Sequence, residues 1–386
     1  MFQKLAYFLF LIVLSFQLNA QTFTDSFQHD TSIREYTVHV PAAYNAASSV
    51  PLLISLHGLG DNMANFSGAG FHALSESENF IVVTPQALNF SFLGFAIGTS
   101  WNSGVGAEVS VLSEAIYPNE YIDDVGFISA LIDSLSSQYN IDPDRIYATG
   151  FSMGGFMSNR LAVELNDRIA AIASVSGTLG DNVSRNNNPC PIPAMHIHGT
   201  ADATIDYHAD YSTAGGLYVI VGDSVSGLMN FWNGVNQTDA TPLHNPNYAS
   251  VGGMLVEEFI WENGVDNSVV RHLKINGGDH VWFSGLYPSE IWDFLSVHEN
   301  KDICLPNAIK DRNTSENFTV YPNPSNNKIQ VIAESEIQEL LLYNALGEKV
   351  MESTQSELDI SKLSKGVYYL FIQTTESRLT TKVTKK

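Results

Sequence analysis

The residues best suited to chemistry lie in the segment Gly150-Phe151-Ser152-Met153-Gly154-Gly155. Residues 145–149 before it are apolar and partly β-branched and predict a short buried strand, whereas 156–165 show the apolar spacing of a helix. Strand, Gly-x-Ser-x-Gly and helix form the pattern of a nucleophile elbow, which exposes a serine hydroxyl at a helix N-terminus. A match of five residues is weak by itself, and a solvated serine in a glycine-rich turn is the alternative.

A nucleophilic serine needs a base that takes its proton and a third group that orients the base. In folds built on this elbow, the partners follow in the order Ser, Asp or Glu, His, each in a loop after a strand. Ser152, Asp202 and His280 meet that order. We predict His280 as general base and then general acid, and Asp202 as the carboxylate that fixes its tautomer. Asp206 is the alternative acid.

Two backbone N–H groups are needed to stabilise the oxyanion of the tetrahedral intermediate. One is predicted at Met153, directly after the nucleophile, and the other at Leu59, in the loop after the His57-Gly58 turn. His57 itself is predicted to be structural. His196 and His198 share one strand face, but no third ligand is evident, so we predict no metal site.

Composition restricts the class of protein. The chain has 386 residues, is 44% hydrophobic and carries a formal net charge of −22, so it has room for one large domain and a small one. This charge argues against nucleic acid as a partner. Residues 1–20 carry one lysine, an apolar run and a small residue at Ala20, which predicts a cleaved signal peptide and an exported protein with no membrane span.

Strand and helix patterns alternate through residues 21–298, which predicts a mostly parallel sheet with helices on both faces. Residues 89–121 are predicted to form a long irregular loop, typical of functional loops. Asp123-Asp124 precede a predicted helix with a clear apolar face, and a second helix is predicted near 224–232. The remainder of 206–267 gives no clear pattern.

The C-terminal region has a different pattern. Residues 299–318 are charged and rich in asparagine and predict a linker. Residues 319–386 contain short strand-like runs separated by turn residues, which predict a small all-β, immunoglobulin-like sandwich. Cys190 and Cys304 are the two cysteines. The sequence leaves two alternatives for them, a disulfide or two free buried thiols.

With these residues placed, residues 32–298 resemble the secreted α/β-hydrolase esterases grouped as polyhydroxybutyrate depolymerase-like and feruloyl esterases. The matching pieces, in the order of that family, are Leu56-His57-Gly58, Trp101-Asn102, residues 123–128, residues 141–147, the elbow, residues 198–202 and residues 277–282. The resemblance implies a triad of Ser152, Asp202 and His280. Asp279 stands where the family commonly has glycine, and 207–267 match loosely.

The tail resembles the C-terminal sorting domain of the type IX secretion system of Bacteroidetes. The similarity rests on Val320-Tyr321-Pro322-Asn323-Pro324, residues 344–350, residues 363–368 and the basic end. It implies the type IX machinery as a partner and an extracellular or cell-surface location after passage through the periplasm. A carbohydrate-binding or adhesive sandwich is the alternative for this domain.

The sequence therefore predicts a secreted serine carboxylic-ester hydrolase that acts through an acyl-enzyme and needs no cofactor. Feruloyl or acetyl esters of polysaccharides and hydroxyalkanoate polyesters are the expected substrates, with Trp101 and Trp282 as aromatic substrate-binding residues. A small satellite core under the long loop is the alternative role for these aromatic side chains. A catalytically silent surface carbohydrate-binding protein on a hydrolase scaffold and a serine peptidase are the competing functions.

Overall fold

The structure is a computed structural model that describes residues 20–67, 69–92, 94–108, 115–185, 190–214, 217–220, 222–300, 318–333, 337–344, 349–374 and 378–386. The predicted signal peptide and linker lie almost wholly outside these residues. The chain divides into two compact units, Met1–Cys304 and Leu305–Lys386. Within the described part, no helix has the length and apolar character that crossing a membrane requires.

The first unit contains sixteen strands and six helices among its described residues. The strands are β1 Gln21–His29, β2 Ser32–Val40, β3 Val50–Leu56, β4 Ile81–Pro85, β5 Leu88–Phe92, β6 Phe95–Ser100, β7 Gly106–Glu108, β8 Ala115–Ile116, β9 Ile141–Phe151, β10 Ala171–Val175, β11 Ala194–Gly199, β12 Tyr211–Ala214, β13 Leu217–Ile220, β14 Leu243–Val251, β15 Met254–Trp261 and β16 Val270–Ile275. The helices are α1 Met63–Phe66, α2 Phe71–Glu78, α3 Asp124–Gln138, α4 Met153–Glu164, α5 Val225–Asn236 and α6 Tyr287–Leu295.

A ten-stranded sheet in the order β1-β2-β4-β3-β9-β10-β11-β16-β15-β14 forms the centre of this unit. The six strands from β4 to β16 run parallel, and antiparallel pairs extend both edges. Alternate residues of the central strands face opposite sides, because Leu52 and Ile54 belong to one hydrophobic core and Leu53 belongs to another. The sequence-based prediction of an α/β-hydrolase fold is therefore confirmed.

Helices cover both faces of the sheet. Apolar residues of α3, α4 and α5 pack in one core, and those of α2 and α6 pack in the other. Asp123 begins α3 by accepting a hydrogen bond from the Gly126 N–H at 2.8 Å, as expected for a helix N-cap. β3, β10 and β11 are buried along their length. Because the central strands run parallel, their carboxyl ends meet at one edge of the sheet, where the loops carry the candidate site residues.

Two parts of the fold differ from the prediction. Residues 88–100 form an antiparallel hairpin, β5 with β6, rather than an irregular loop. Residues 243–261 form the hairpin of β14 and β15, which the sequence left without a pattern. β14 is mostly exposed, because only its partner β15 joins it to the sheet, and an edge strand does not need the alternation of apolar residues that marks a half-buried strand.

The second unit contains strands only among its described residues. They are β17 Phe318–Tyr321, β18 Lys328–Ala333, β19 Ile337–Asn344, β20 Lys349–Ser353, β21 Glu357–Asp359, β22 Gly366–Thr374 and β23 Arg378–Lys385. They form sheets of three and four strands whose buried residues share one core, for example Val331 of β18 and Leu342 of β19. The prediction of a small all-β sandwich is confirmed.

Cys190 is disulfide-bonded, so the paired alternative holds for this cysteine. Cys304 lies outside the described residues.

Candidate active site

Ser152 lies between β9 and α4 in a strained conformation. Its φ of 55° and ψ of −120° are unfavourable for a residue with a side chain, and such strain is typical of functional turns. The turn is sharp enough that a Cβ on Gly154 would collide with the carbonyl oxygen of Leu56. The Ser152 N–H donates to the Val175 carbonyl at 2.8 Å, which ties the elbow to β10. The geometry is that of a nucleophile elbow.

Asp202 and His280 come together from the loops after β11 and β16, which are parallel neighbours in the sheet. The His280 Nδ1–H donates to Asp202 Oδ2 at 2.8 Å. The His280 ring also packs against Phe151, the residue directly before Ser152, with 4.7 Å between ring centroids. The predicted base therefore lies beside the elbow with one ring nitrogen held by the predicted acid, although these two loops are more than seventy residues apart in sequence.

Asp202 is buried and accepts hydrogen bonds on both carboxylate oxygens. Oδ1 accepts from the backbone N–H groups of Thr204 and Ile205, at 2.9 and 2.8 Å. Burial alone would raise the pKa of Asp202, but hydrogen bonds from His198 and His280 outweigh it and hold that pKa well below its usual range. Asp202 is thus ionised at neutral pH, as the orienting member of a triad must be.

Asp206, the alternative acid, lies elsewhere in the same loop. Its Oδ1 accepts from the backbone N–H groups of His208 and Ala209, at 2.7 and 3.1 Å, which closes a turn. Asp279 likewise accepts from the N–H of His280, at 2.8 Å. The structure therefore pairs Asp202 with His280, whereas Asp206 closes a turn and Asp279 accepts from backbone N–H groups of His280 and Ala203.

The loop after β3 lies next to the nucleophile. A Cβ built on Gly58 would be 3.4 Å from the Ser152 Cβ. In this loop the N–H of Gly60 donates to Thr99 and that of Asp61 to Gly58, while within the described chain no acceptor binds the N–H of Leu59. Met153 is the first residue of α4, where a backbone N–H has no partner inside the helix. Within the part of the chain that the structure describes, neither predicted oxyanion donor has an acceptor, which is consistent with the predicted role.

The prediction that Trp101 binds substrate is wrong. Its side chain is fully buried, and the indole N–H donates to the His57 carbonyl oxygen at 2.9 Å. His57 is also buried, and its Nε2 accepts the N–H of Ala87. Trp101 supports the loop that carries Leu59 and has no surface to offer a substrate. An indole beside a candidate oxyanion loop cannot be distinguished from a stacking platform by sequence alone.

The Trp101-Asn102 segment is held by a buried ion pair. Arg34 donates to Asp124 Oδ1 at 2.6 Å, and the N–H of Asn102 donates to Asp124 Oδ2 at 2.7 Å. Arg160 donates to the Asn102 carbonyl at 2.6 Å. The Trp101-Asn102 and Asp123-Asp124 segments are thus linked through Asp124, which fixes the loop that contains Asn102. Removing one partner of a buried pair typically costs about 3–5 kcal/mol.

Trp282, the other predicted substrate-binding residue, is partly buried. Its indole N–H donates to the Ala69 carbonyl at 3.0 Å, and its ring contacts Phe66 and Phe151 edge to face. Trp282 therefore connects the loop of the base to the segment before α2. A direct contact with substrate stays a prediction for this residue.

We expect replacement of Trp101 by phenylalanine to lower kcat/KM about tenfold on aryl-acyl and acetyl esters alike. The change leaves the buried His57 carbonyl without its donor, which costs about 1–3 kcal/mol and loosens the oxyanion loop for every substrate. Parallel assays of methyl ferulate and p-nitrophenyl acetate test this, with Trp261→Phe on β15 as the control. A loss confined to the aryl ester would show that Trp101 contacts the acyl group after all.

The fold and the site define an α/β hydrolase, and comparison with known proteins supports this class. Residues 42–225 match the family model described as phospholipase/carboxylesterase, and residues 319–386 match that of the secretion system C-terminal sorting domain. The chain thus pairs an α/β-hydrolase fold, similar over residues 42–225 to the phospholipase/carboxylesterase family, with a C-terminal region similar to the sorting domain of the type IX secretion system.

The similar curated proteins include several named esterases. A bifunctional acetylxylan esterase/xylanase from Neocallimastix patriciarum is 29% identical over 67% of this chain and 33% of its own length. Feruloyl esterase B from Piromyces equi is 28% identical over 68% of this chain and 45% of its own length. A poly(3-hydroxyalkanoate) depolymerase from Paucimonas lemoignei is 30% identical over 36% of this chain and 30% of its own length. This chain therefore spans less than half of each of these relatives.

Among solved structures, an acetyl xylan esterase from Aspergillus awamori superposes with a TM-score of 0.51 at 18% identity, covering 72% of this chain and 99% of its own. At that identity the likeness supports the fold. Both families named from the sequence, the esterases and the sorting domain, are confirmed by these matches.

Proposed function

We propose that this protein is a secreted serine carboxylic-ester hydrolase. The observation that carries the proposal is the 2.8 Å hydrogen bond from His280 to Asp202, formed beside a strained serine elbow and two free backbone N–H groups. This arrangement is suited to acyl transfer and has no evident use in a purely binding protein. The esterase names of the relatives agree with it.

The proposed reaction has two stages. Ser152 Oγ attacks the ester carbonyl carbon while His280 Nε2 takes the hydroxyl proton, and the N–H groups of Met153 and Leu59 stabilise the oxyanion. His280 then gives the proton to the departing alcohol, which leaves an acyl-enzyme. A water molecule, deprotonated by His280, attacks the acyl-enzyme. His280 then returns the proton to Ser152 Oγ as the bond to the acyl carbon breaks, which releases the carboxylic acid and restores the free enzyme. Asp202 holds the His280 ring throughout and stabilises its cation.

Exposed apolar residues near the oxyanion loop support a proposal for the substrate class. The β5–β6 hairpin is tied to this loop, because the Gly60 N–H donates to the Thr99 carbonyl at 2.8 Å and the Thr99 hydroxyl donates to Asp61. Phe95 on this hairpin is 73% exposed and Leu59 is 48% exposed. Exposed apolar side chains close to a site suit an ester on an aromatic or extended acyl group. We therefore place feruloyl or acetyl esters of polysaccharides first and hydroxyalkanoate polyesters second.

A substrate panel tests the proposal. Methyl ferulate, acetylated xylan, hydroxybutyrate oligomers, p-nitrophenyl acetate and casein are assayed with the wild type and with Ser152→Ala. We expect hydrolysis of at least one ester, with loss in the variant, and no cleavage of casein. Turnover of casein alone would support a serine peptidase, and no turnover of any substrate would support a silent binding protein.

We further propose that residues 319–386 direct the enzyme through the type IX machinery to the cell exterior. Deleting them is expected to leave esterase activity unchanged, because the first unit has two hydrophobic cores of its own. In a host with this machinery, the shortened enzyme is expected to accumulate in the periplasm, as measured by activity in cell fractions. Full-length Ser152→Ala, detected by antibody, is the export control. Normal export of the shortened enzyme would contradict the sorting role.

A further inference from the structure

A line of buried polar side chains continues from Asp202 away from His280. The His198 Nε2 lies 3.3 Å from Asp202 Oδ2 and 2.9 Å from the Ile205 carbonyl oxygen. The His198 Nδ1 lies 3.0 Å from His196 Nε2, and the His196 Nδ1 lies 2.8 Å from the Ser174 hydroxyl. His198 and Ser174 are fully buried and His196 nearly so.

The partners in this line determine where the protons are. The Ile205 carbonyl and the Asp202 carboxylate are acceptors, so the His198 Nε2 must carry a proton. The His198 Nδ1 then accepts from His196 Nε2–H, and the His196 Nδ1 accepts from the Ser174 hydroxyl. Burial lowers the pKa of His196, which keeps it neutral and able to accept on one side and donate on the other.

We propose that His198 is a positioning residue of the catalytic site, which holds the Asp202 carboxylate through its Nε2–H and is itself held by His196 and Ser174. This inference rests on the proposed triad. The Nε2–H of His198 is shared between the Ile205 carbonyl at 2.9 Å and Asp202 Oδ2 at 3.3 Å, while His280 donates to the same Oδ2 and Thr204 and Ile205 bind Oδ1. Contacts on both carboxylate oxygens restrict rotation of Asp202 away from the base.

Other ionisable groups around this carboxylate do not take the place of His198. Tyr287 faces Asp202, and burial raises the pKa of its hydroxyl. Asp279 lies on the loop of the base and binds the backbone there. His272 donates to the His196 carbonyl and accepts from the Tyr207 hydroxyl, so it lies outside the line. His198 is thus the one group besides His280 that binds Asp202 through a side chain within the described residues.

Two substitutions separate positioning from packing. In His198→Gln the amide nitrogen reaches about as far as Nε2 and can still donate to Asp202. In His198→Asn the amide reaches only as far as Nδ1, so it keeps the His196 side and loses the donor to Asp202. We expect the asparagine variant to lower kcat about tenfold or more with KM within about twofold, and the glutamine variant to keep kcat within about threefold.

The pH profile gives a readout that packing alone would not change. A carboxylate that has lost one donor stabilises the facing imidazolium more strongly, so the acid limb of kcat/KM is expected to move to higher pH in His198→Asn and to stay in His198→Gln. Tyr207→Phe is the control: it removes a neighbouring buried hydrogen bond and should lower thermal stability without moving the limb.

Equal kcat losses and an unmoved acid limb in both variants, with normal wild-type turnover, would overturn the role of His198 and leave the proposed triad intact. Absence of wild-type turnover would instead remove the triad. If the asparagine variant does not fold, ¹⁵N-histidine NMR of the unaltered protein decides the question. We expect a protonated Nε2 on His198 at neutral pH, and an unprotonated Nε2 would overturn the proposal.

Discussion

Replacing His280 with alanine is expected to lower kcat by about 10⁴-fold or more, with little change in KM. Without its imidazole, the Ser152 hydroxyl has no group to take its proton, and the leaving alcohol has no group to supply one. The oxyanion donors and the fold remain, so a small residual rate should persist. Steady-state kinetics on a p-nitrophenyl ester measure the effect.

The matched control is His208→Ala, because His208 is an exposed histidine in the loop that follows Asp202. It should keep wild-type kcat. A His280→Ala variant that retains more than about a tenth of the wild-type rate would show that another group acts as base.

Asp202→Asn is expected to lower kcat by about 10³–10⁴-fold. In the wild type, the Asp202 carboxylate accepts from His280 Nδ1–H. An amide in its place would favour the wrong tautomer of His280 and would no longer stabilise the His280 imidazolium. The thermal stability should also fall, because the backbone N–H groups of Thr204 and Ile205 lose a charged acceptor. Kinetics and thermal melts of the same preparation separate the two effects.

Asp206→Asn is the control for this change, since it lies four residues on and closes a turn with its own backbone. We expect it to keep kcat within about threefold. The opposite result, a large loss at Asp206 and a mild one at Asp202, would transfer the role of acid to Asp206 and contradict the observed pairing with His280.

The parts of the fold that could be predicted from sequence are those with strong local signals. The elbow was recognisable because its glycines are required sterically: a side chain at Gly154 would collide with β3. The central strands were recognisable because parallel strands buried on both faces are continuously apolar. The order of Ser152, Asp202 and His280 then followed from the connectivity that such a sheet imposes.

The parts that could not be predicted depend on tertiary contacts. The sequence predicts Trp101 against substrate because it is an aromatic residue in a long loop, whereas the His57 carbonyl that binds it lies 44 residues earlier in the chain. His198 was considered only as a metal ligand, since the pattern His-x-His says nothing about partners on neighbouring strands. The available signal was that His198 precedes Asp202 by four residues. This spacing brings the two side chains together only because the loop after β11 folds back on that strand.

Covalent labelling at Ser152 tests the central claim most directly. The wild type is treated with a fluorophosphonate probe near neutral pH, digested and analysed by mass spectrometry, alongside Ser152→Ala and His280→Ala. The proposed triad predicts a single phosphonylated site at Ser152, no labelling in Ser152→Ala and labelling slowed by several orders of magnitude in His280→Ala. A wild type that stays unlabelled, or that is labelled equally fast without His280, would contradict the account.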